Sequence, residues 1–206
     1  FGLRRQPENF RQIIFLTGNL FNGASMTKDL VLREILEPGI VRITLNDPGS
    51  RNAMSDEMAA QFEAVVVKTG SDPELRAVIL SGAGQAFSAG GHLEMLLEKT
   101  KRTREENISG MLNFYRRFLS IASLAVPVIC AVNGHAVGAG LCLALACDLR
   151  IAQSGAKFGL NFVHLGLHPG MGATYFLPRL AGPARAAELL YSGRIISAGT
   201  ALEYGL

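Results

Sequence analysis

Two glycine-rich stretches, each set between an apolar run and a helix-forming run, constrain this chain more than any other feature. The first reads Gly82-Ala83-Gly84-Gln85-Ala86-Phe87-Ser88-Ala89-Gly90-Gly91 and follows the buried-strand pattern of Arg76–Ser81. The second reads Asn133-Gly134-His135-Ala136-Val137-Gly138-Ala139-Gly140 and follows Pro127–Val132. In a fold that alternates strand and helix, such stretches lie at a strand's carboxyl end and a helix's amino end. Free backbone N–H groups gather there, and helix dipoles favour negative charge. Small residues let the backbone itself approach a ligand. Two converging donors would hold the oxygen of an acyl group as it becomes an enolate or tetrahedral anion. Either stretch alone is equally readable as a tight turn. The dinucleotide fingerprint fails, because Phe87 stands where its third glycine belongs, so a dinucleotide-binding module is a third reading that rests on an incomplete pattern and would need saturable NADH binding to revive it.

The remaining pattern supports alternation. Leu30–Glu37 and Ile40–Asn46 are β-rich runs joined across Pro38-Gly39, a hairpin signal. Ser55 can cap a helix with Met58, Phe62, Val65 and Val66 on its apolar face. Helices are expected from about His92, over about Glu105–Ala122, over Leu141–Ala146, and then over Gly170–Leu180, Pro183–Tyr191 and Ala198–Tyr204. Leu149–Ala152 reads as a strand and Lys157-Phe158-Gly159 as extended. Such an α/β order predicts a largely parallel sheet with crossover helices.

With 206 residues, 49% hydrophobic and 18% charged, the chain suits one core-rich domain. The net charge of +3 is too diffuse for nucleic acid. A short basic cluster at Lys99, Lys101, Arg102 and Arg104 suits a phosphorylated small molecule better. Cys130, Cys142 and Cys147 lie in apolar stretches and read as reduced, buried thiols, with no metal-site spacing. Pro127, Asn133 and several glycines interrupt the one long apolar run, so no membrane span is expected. Residues 1–25 read as an extension of uncertain status, and 26–206 as the domain. The stop at Leu206, at a helix or its exit, predicts a missing C-terminal part. Without a clear targeting signal the expected compartment is the cytoplasm, with the mitochondrion as the alternative.

Three blocks in order carry a family resemblance: AVILSGAGQAFSAGGHLEM at 77–95, PVICAVNGHAVGAGLCLALACDLRIA at 127–152, and FGLNFVHLGLHPGMGATYFLPRLAG at 158–182. With a weaker fourth, RITLNDPGSRNAMS at 42–55, they resemble the enoyl-CoA hydratase/isomerase (crotonase) family over about residues 28–206. The resemblance implies a crotonase-like (ClpP/crotonase) α/β spiral of ββα repeats, its C-terminal helical part missing here, that assembles as homotrimers or hexamers. It implies an acyl-CoA thioester as substrate and no separate cofactor, since coenzyme A enters with the substrate. The thioester oxygen would be held by the N–H groups of Gly91 and Ala139. Arg51, Ala53 and Ala89 match positions lining the CoA moiety, and Leu93 and Gly170 match positions around the acyl chain.

The departures shape the functional expectation. The family's two glutamates fall at Cys142 and Phe162, neither of which can replace a general acid and base. The resemblance therefore implies enolate stabilisation without ordinary hydration, leaving isomerisation, decarboxylation and thioester or C–C cleavage open. The alternative is a non-catalytic acyl-CoA-binding or assembly subunit. His92, where the family has aspartate, and His168, beside Pro169-Gly170, are candidate proton carriers, each readable also as a cap or surface residue. His164 reads as a hydrogen-bonded loop residue and His135 as a packed one. Cys142 is either a nucleophile or an inert buried thiol. Asp148 is expected, by the same resemblance, to accept from nearby backbone N–H groups.

Overall fold

Burial alternates along Ile40–Leu45, where Val41, Ile43 and Leu45 turn inward and the residues between them stay partly open. That period of two is the signature of a strand with one face on a core. The computed structural model describes residues 28–206, and the expected extension over 1–25 lies outside that range. The hairpin expected across Pro38-Gly39 is present, with β1 (Val31–Glu37) antiparallel to β2 (Ile40–Leu45). To it are added in parallel β3 (Ala77–Gly82), β5 (Val128–Val132) and β7 (Leu149–Ala152), giving the order β1-β2-β3-β5-β7.

The glycine-rich stretches are not plain loops. Within them lie two short strands, β4 (Ala86–Ser88) and β6 (His135–Val137). With β8 (Lys157–Gly159) and β9 (Ile195–Ser197) they form a second sheet, ordered β4-β6-β8-β9. The pairing is largely parallel, as expected, but it runs through two sheets among the described residues rather than one, with antiparallel pairs at β1–β2 and β8–β9. Close backbone packing demands the small residues here: a Cβ on Gly134 would lie 2.0 Å from the carbonyl oxygen of Gln85. The chain therefore repeats one unit, a strand in the first sheet, a strand in the second, then a helix. β3 and β4 lead to α2 (Leu93–Lys99), β5 and β6 to α4 (Ala139–Leu145), and β7 and β8 to a 3-10 turn at Asn161–Leu165 and then α5 (Ala173–Ala181).

Helix α1 (Asp56–Gly70) starts at Ser55, whose hydroxyl accepts from Met58 N–H at 3.1 Å. It buries Met58, Ala59, Phe62 and Val66. Phe62 meets Phe118 of α3 (Arg104–Leu119) at 5.3 Å between ring centroids, and Phe118 meets Phe114 edge-on at 5.1 Å. All seven residues of α4 are buried. This helix begins two residues before the expected Leu141, because Gly138 already occupies its N-cap position. The expected helix from Gly170 starts only at Ala173. Met171 and Gly172 take left-handed φ values of 51° and 72°, which makes Gly170–Gly172 a turn. Helices α6 (Pro183–Ser192) and α7 (Ala198–Glu203) complete the described chain.

Candidate active site

The first two strand–strand–helix units bring their helix starts together. Gly90 has φ +88°, and a Cβ on it would lie 2.7 Å from Val137 O and 3.2 Å from Ala139 N. Only glycine fits this contact, both by backbone conformation and by space. Met54 pairs with this segment through Gly90 C=O and His92 N–H, which leaves the N–H of Gly91 outside the ladder. Ala139 is the first residue of α4, where a backbone N–H has no intrahelical acceptor. Neither N–H has a hydrogen-bond partner among the described residues. Two unpaired donors thus stand at adjoining backbone segments, the arrangement that can stabilise a developing oxyanion.

Both donors border a cavity of about 400 Å³. Its walls are mostly apolar, with Met95 and Leu96 from α2, Met111 and Phe114 from α3, and Phe162 and Leu165 from the 3-10 turn. Its polar side chains are Lys99, Thr100, Asn107, Tyr115, Asn161 and His168, and no Asp or Glu lines it among the described residues. A second, more polar groove of about 690 Å³ is lined by Arg51, Gly84, Gln85, Ala89 and His135 among others. Ala89 borders both spaces, so the groove and the cavity meet beside the paired donors.

Buried polar side chains hold this backbone in place. Asn52, fully buried, donates through Nδ2 to the carbonyls of Ala83, Ala86 and Phe87 at 2.9, 2.9 and 3.2 Å, and accepts from Asp47 N–H at 2.8 Å. Ser88 donates to Asn52 O at 2.7 Å and accepts from Gly90 N–H at 3.2 Å. Asn133 accepts from Gly82 N–H at 3.0 Å and donates to Gly84 O at 3.0 Å. Sequence reasoning missed all three. Their one available signal was an amide or hydroxyl inside an otherwise small or apolar run.

Of the residues expected at the site, Gly91, Ala139, Ala89, Phe162 and His168 border the cavity, and Arg51 borders the groove. Ala53 borders neither, and its N–H donates to Ser50 Oγ at 3.2 Å. Leu93 is 61% exposed and off the cavity wall, because α2 starts there and turns Met95 and Leu96 inward instead. His92 borders neither space and makes no side-chain cap bond. His135 is exposed on the groove rather than packed. His164 bonds Ser192 O at 2.9 Å, in keeping with its loop reading. Asp148 Oδ2 accepts from Val128 N–H at 2.8 Å, as expected. Cys142 is fully buried behind the cavity wall, donates to Gly170 O at 3.6 Å, and has its thiol pushed far up by burial. Gly170 is off the wall too. A Cβ on it would lie 2.1 Å from the Tyr115 hydroxyl oxygen, so its absence makes room for that phenol. Tyr115 was also missed, although Asn107, Met111, Phe114 and Tyr115 recur at the spacing of one helix face.

No helix among the described residues is long and apolar enough to cross a membrane, and none of their His, Cys, Asp and Glu side chains form a group of three or more suited to a metal. The family model described as enoyl-CoA hydratase/isomerase matches residues 36–206. A Mycobacterium tuberculosis protein named as a probable enoyl-CoA hydratase is 45% identical over 81% of this chain. The 1,2-epoxyphenylacetyl-CoA isomerase of Escherichia coli is 41% identical over 83% of it. The chain spans 64% and 66% of the lengths of these two relatives. Among solved structures, an enoyl-CoA hydratase from Bacillus anthracis superposes with a TM-score of 0.79 at 37% identity, covering 85% of this chain and 67% of that one. The chain belongs to the enoyl-CoA hydratase/isomerase family.

Proposed function

We propose that this protein binds an acyl-CoA thioester and stabilises its enolate, with the thioester oxygen between the N–H groups of Gly91 and Ala139. The observation that carries this reading is the pair of unpartnered donors on touching backbone segments at the rim of an apolar cavity. The acyl group would occupy the cavity, and the CoA moiety the groove beside Arg51 and Ala89. No cofactor beyond the substrate's own coenzyme A enters this scheme. Assembly as a homotrimer or hexamer goes with the family reading.

Ordinary hydration does not fit. It needs a carboxylate to activate water and another group to deliver the α-proton, and no carboxylate lines the cavity among the described residues. His168 is the imidazole on the cavity wall. In a double-bond shift it would take a proton from the acyl α-carbon while the C–H electrons move toward the thioester oxygen. The dienolate would then collapse as a proton returns at the γ-carbon. That makes an isomerase-type reaction the preferred activity.

The missing carboxylates also favour a second reading, a non-catalytic acyl-CoA-binding or assembly subunit. A panel of saturated, 2-enoyl, 3-enoyl and malonyl-type CoA thioesters, followed by chromatography with mass detection, separates the two. A shifted double bond, formed by the wild type and abolished in His168→Ala, supports the isomerase. A product with added water contradicts the exclusion of hydration. Tight binding with no product supports the non-catalytic subunit.

A further inference from the structure

Resting on the acyl-CoA reading above, we propose that Lys99 and Arg102 bind a carboxylate at the far end of the acyl chain. The preferred ligand is then the CoA thioester of a medium-length dicarboxylic acid rather than of a fatty acid of the same length.

The basic cluster noted in the sequence divides once the chain is folded. Lys101 is paired, its Nζ donating to Glu98 Oε1 at 2.6 Å. Lys99 and Arg102 turn instead toward one spot on α3. A Cβ on Gly110 would lie 3.9 Å from Lys99 Nζ and 4.0 Å from Arg102 Nη1. Gly110 comes three residues after Asn107 and four before Phe114, so the three share a row on the helix surface. Asn107, Phe114 and Lys99 itself line the acyl cavity. The two cations therefore meet on the side of α3 that forms the cavity wall.

Neither cation has a carboxylate within ion-pair distance among the described residues. Glu106 is held low first by its bonds with Thr103, whose N–H and hydroxyl lie at 2.8 and 3.0 Å, and only last by the charge of Arg102. Two like charges gathered at one spot repel each other. An anion between them removes that repulsion. A carboxylate can accept from the ammonium and from the guanidinium fork together, and such charge-assisted bonds are the strong ones. A methyl group in the same place gains nothing from either cation.

The backbone of Lys99 is tied down. Asn107 Nδ2 donates to the Lys99 carbonyl at 2.8 Å, which fastens the end of α2 to α3. Asn107 Oδ1 is sealed from solvent and has no partner among the described residues, so the amide serves this tie and not the ligand. Position also sets the chain length. Helix α2 begins two residues after the Gly91 donor and ends at Lys99, about 10 Å further on. A chain running from the thioester along α2 must cross that span before its end meets the cations.

Isothermal titration of the full-length protein with adipyl-CoA and suberyl-CoA, set against hexanoyl-CoA and octanoyl-CoA, tests this. The wild type should bind each dicarboxylic ligand about tenfold more tightly than its fatty-acid counterpart, the worth of one hydrogen bond to a charged group. Rising salt should narrow the gap. Lys99→Met keeps the apolar stem and Arg102→Gln removes the fork, and the double variant should bring the affinities together. Lys99→Glu should reverse the preference. Equal or weaker binding of the dicarboxylic ligands by the wild type, or a preference that survives in the double variant, overturns the proposal and leaves the acyl-CoA reading standing. A double variant that weakens both kinds of ligand alike also overturns it, and puts the cations on the phosphates of the CoA moiety. If none of the ligands binds, the acyl-CoA reading falls and this inference falls with it.

Discussion

Asn52 illustrates what single residues do here. Its backbone is left-handed, with φ 54°, and its buried amide serves three carbonyls of the first glycine-rich stretch. Asn52→Ala would strand buried acceptors and should lower the unfolding free energy by about 3 kcal/mol, read from urea denaturation. The glycines at the site were legible in the sequence, because a backbone that must touch another backbone tolerates nothing larger. Asn52 and Tyr115 were not, since their roles depend on partners 31 to 35 residues away for Asn52 and on the space left by Gly170 for Tyr115. Cys142 was legible as either an inert or a reactive thiol, and burial decides for the inert one. Burial raises both Cys142 and Cys130, so the folded state keeps protons that the unfolded chain loses. Below about pH 8.5, the ordinary thiol value, that contribution is fully present. Above it the unfolded chain deprotonates first, and stability should fall by up to about 1.4 kcal/mol per pH unit for each thiol. Unfolding free energies measured across this range should show a shallower alkaline decline in Cys142→Ala. An unchanged slope would mean that the thiol titrates normally in the folded protein.

At the scale of elements, α3 is the wall on which the cavity depends. Thr103 accepts from Glu106 N–H at 3.2 Å, and the Glu106 carboxylate accepts from Thr103 N–H at 2.8 Å, a reciprocal cap. Thr103→Ala should cost about 1 kcal/mol in a thermal or urea melt, and it should weaken ligand binding, because Asn107 and Met111 follow directly on this turn. A melt and a binding curve both unchanged would separate the cap from the wall. The longer elements were legible: the hairpin, α1 and α3 carry clear periods of two or of 3.6. Strands β4 and β6 were not, because three residues inside a glycine-rich run show no period. Pairing with the neighbouring repeat makes them strands. The start of α5 was misjudged for a similar reason. Nothing in Gly170-Met171-Gly172 announces the two left-handed residues that delay the helix.

At the largest scale, two sheets and three strand–strand–helix units among the described residues place a polar groove and an apolar cavity on either side of Ala89. That division suits a ligand with one polar and one apolar half. The family's order of motifs made the architecture readable from the sequence, whereas the meeting of groove and cavity is a property of the folded chain alone. The account stands on the two N–H groups that adjoin at this junction. Ala139 offers a clean way to remove one, since proline is well tolerated at the first position of a helix and its missing N–H is one that α4 does not use. The most direct measurement is infrared difference spectroscopy of an isotope-labelled thioester carbonyl in butyryl-CoA bound to the full-length protein. The account predicts that the carbonyl stretch shifts to lower frequency on binding to the wild type, and that Ala139→Pro abolishes the shift together with about a hundredfold or more of any turnover. A bound thioester whose carbonyl frequency matches that in water-free solvent, or a shift that persists in Ala139→Pro, would contradict it.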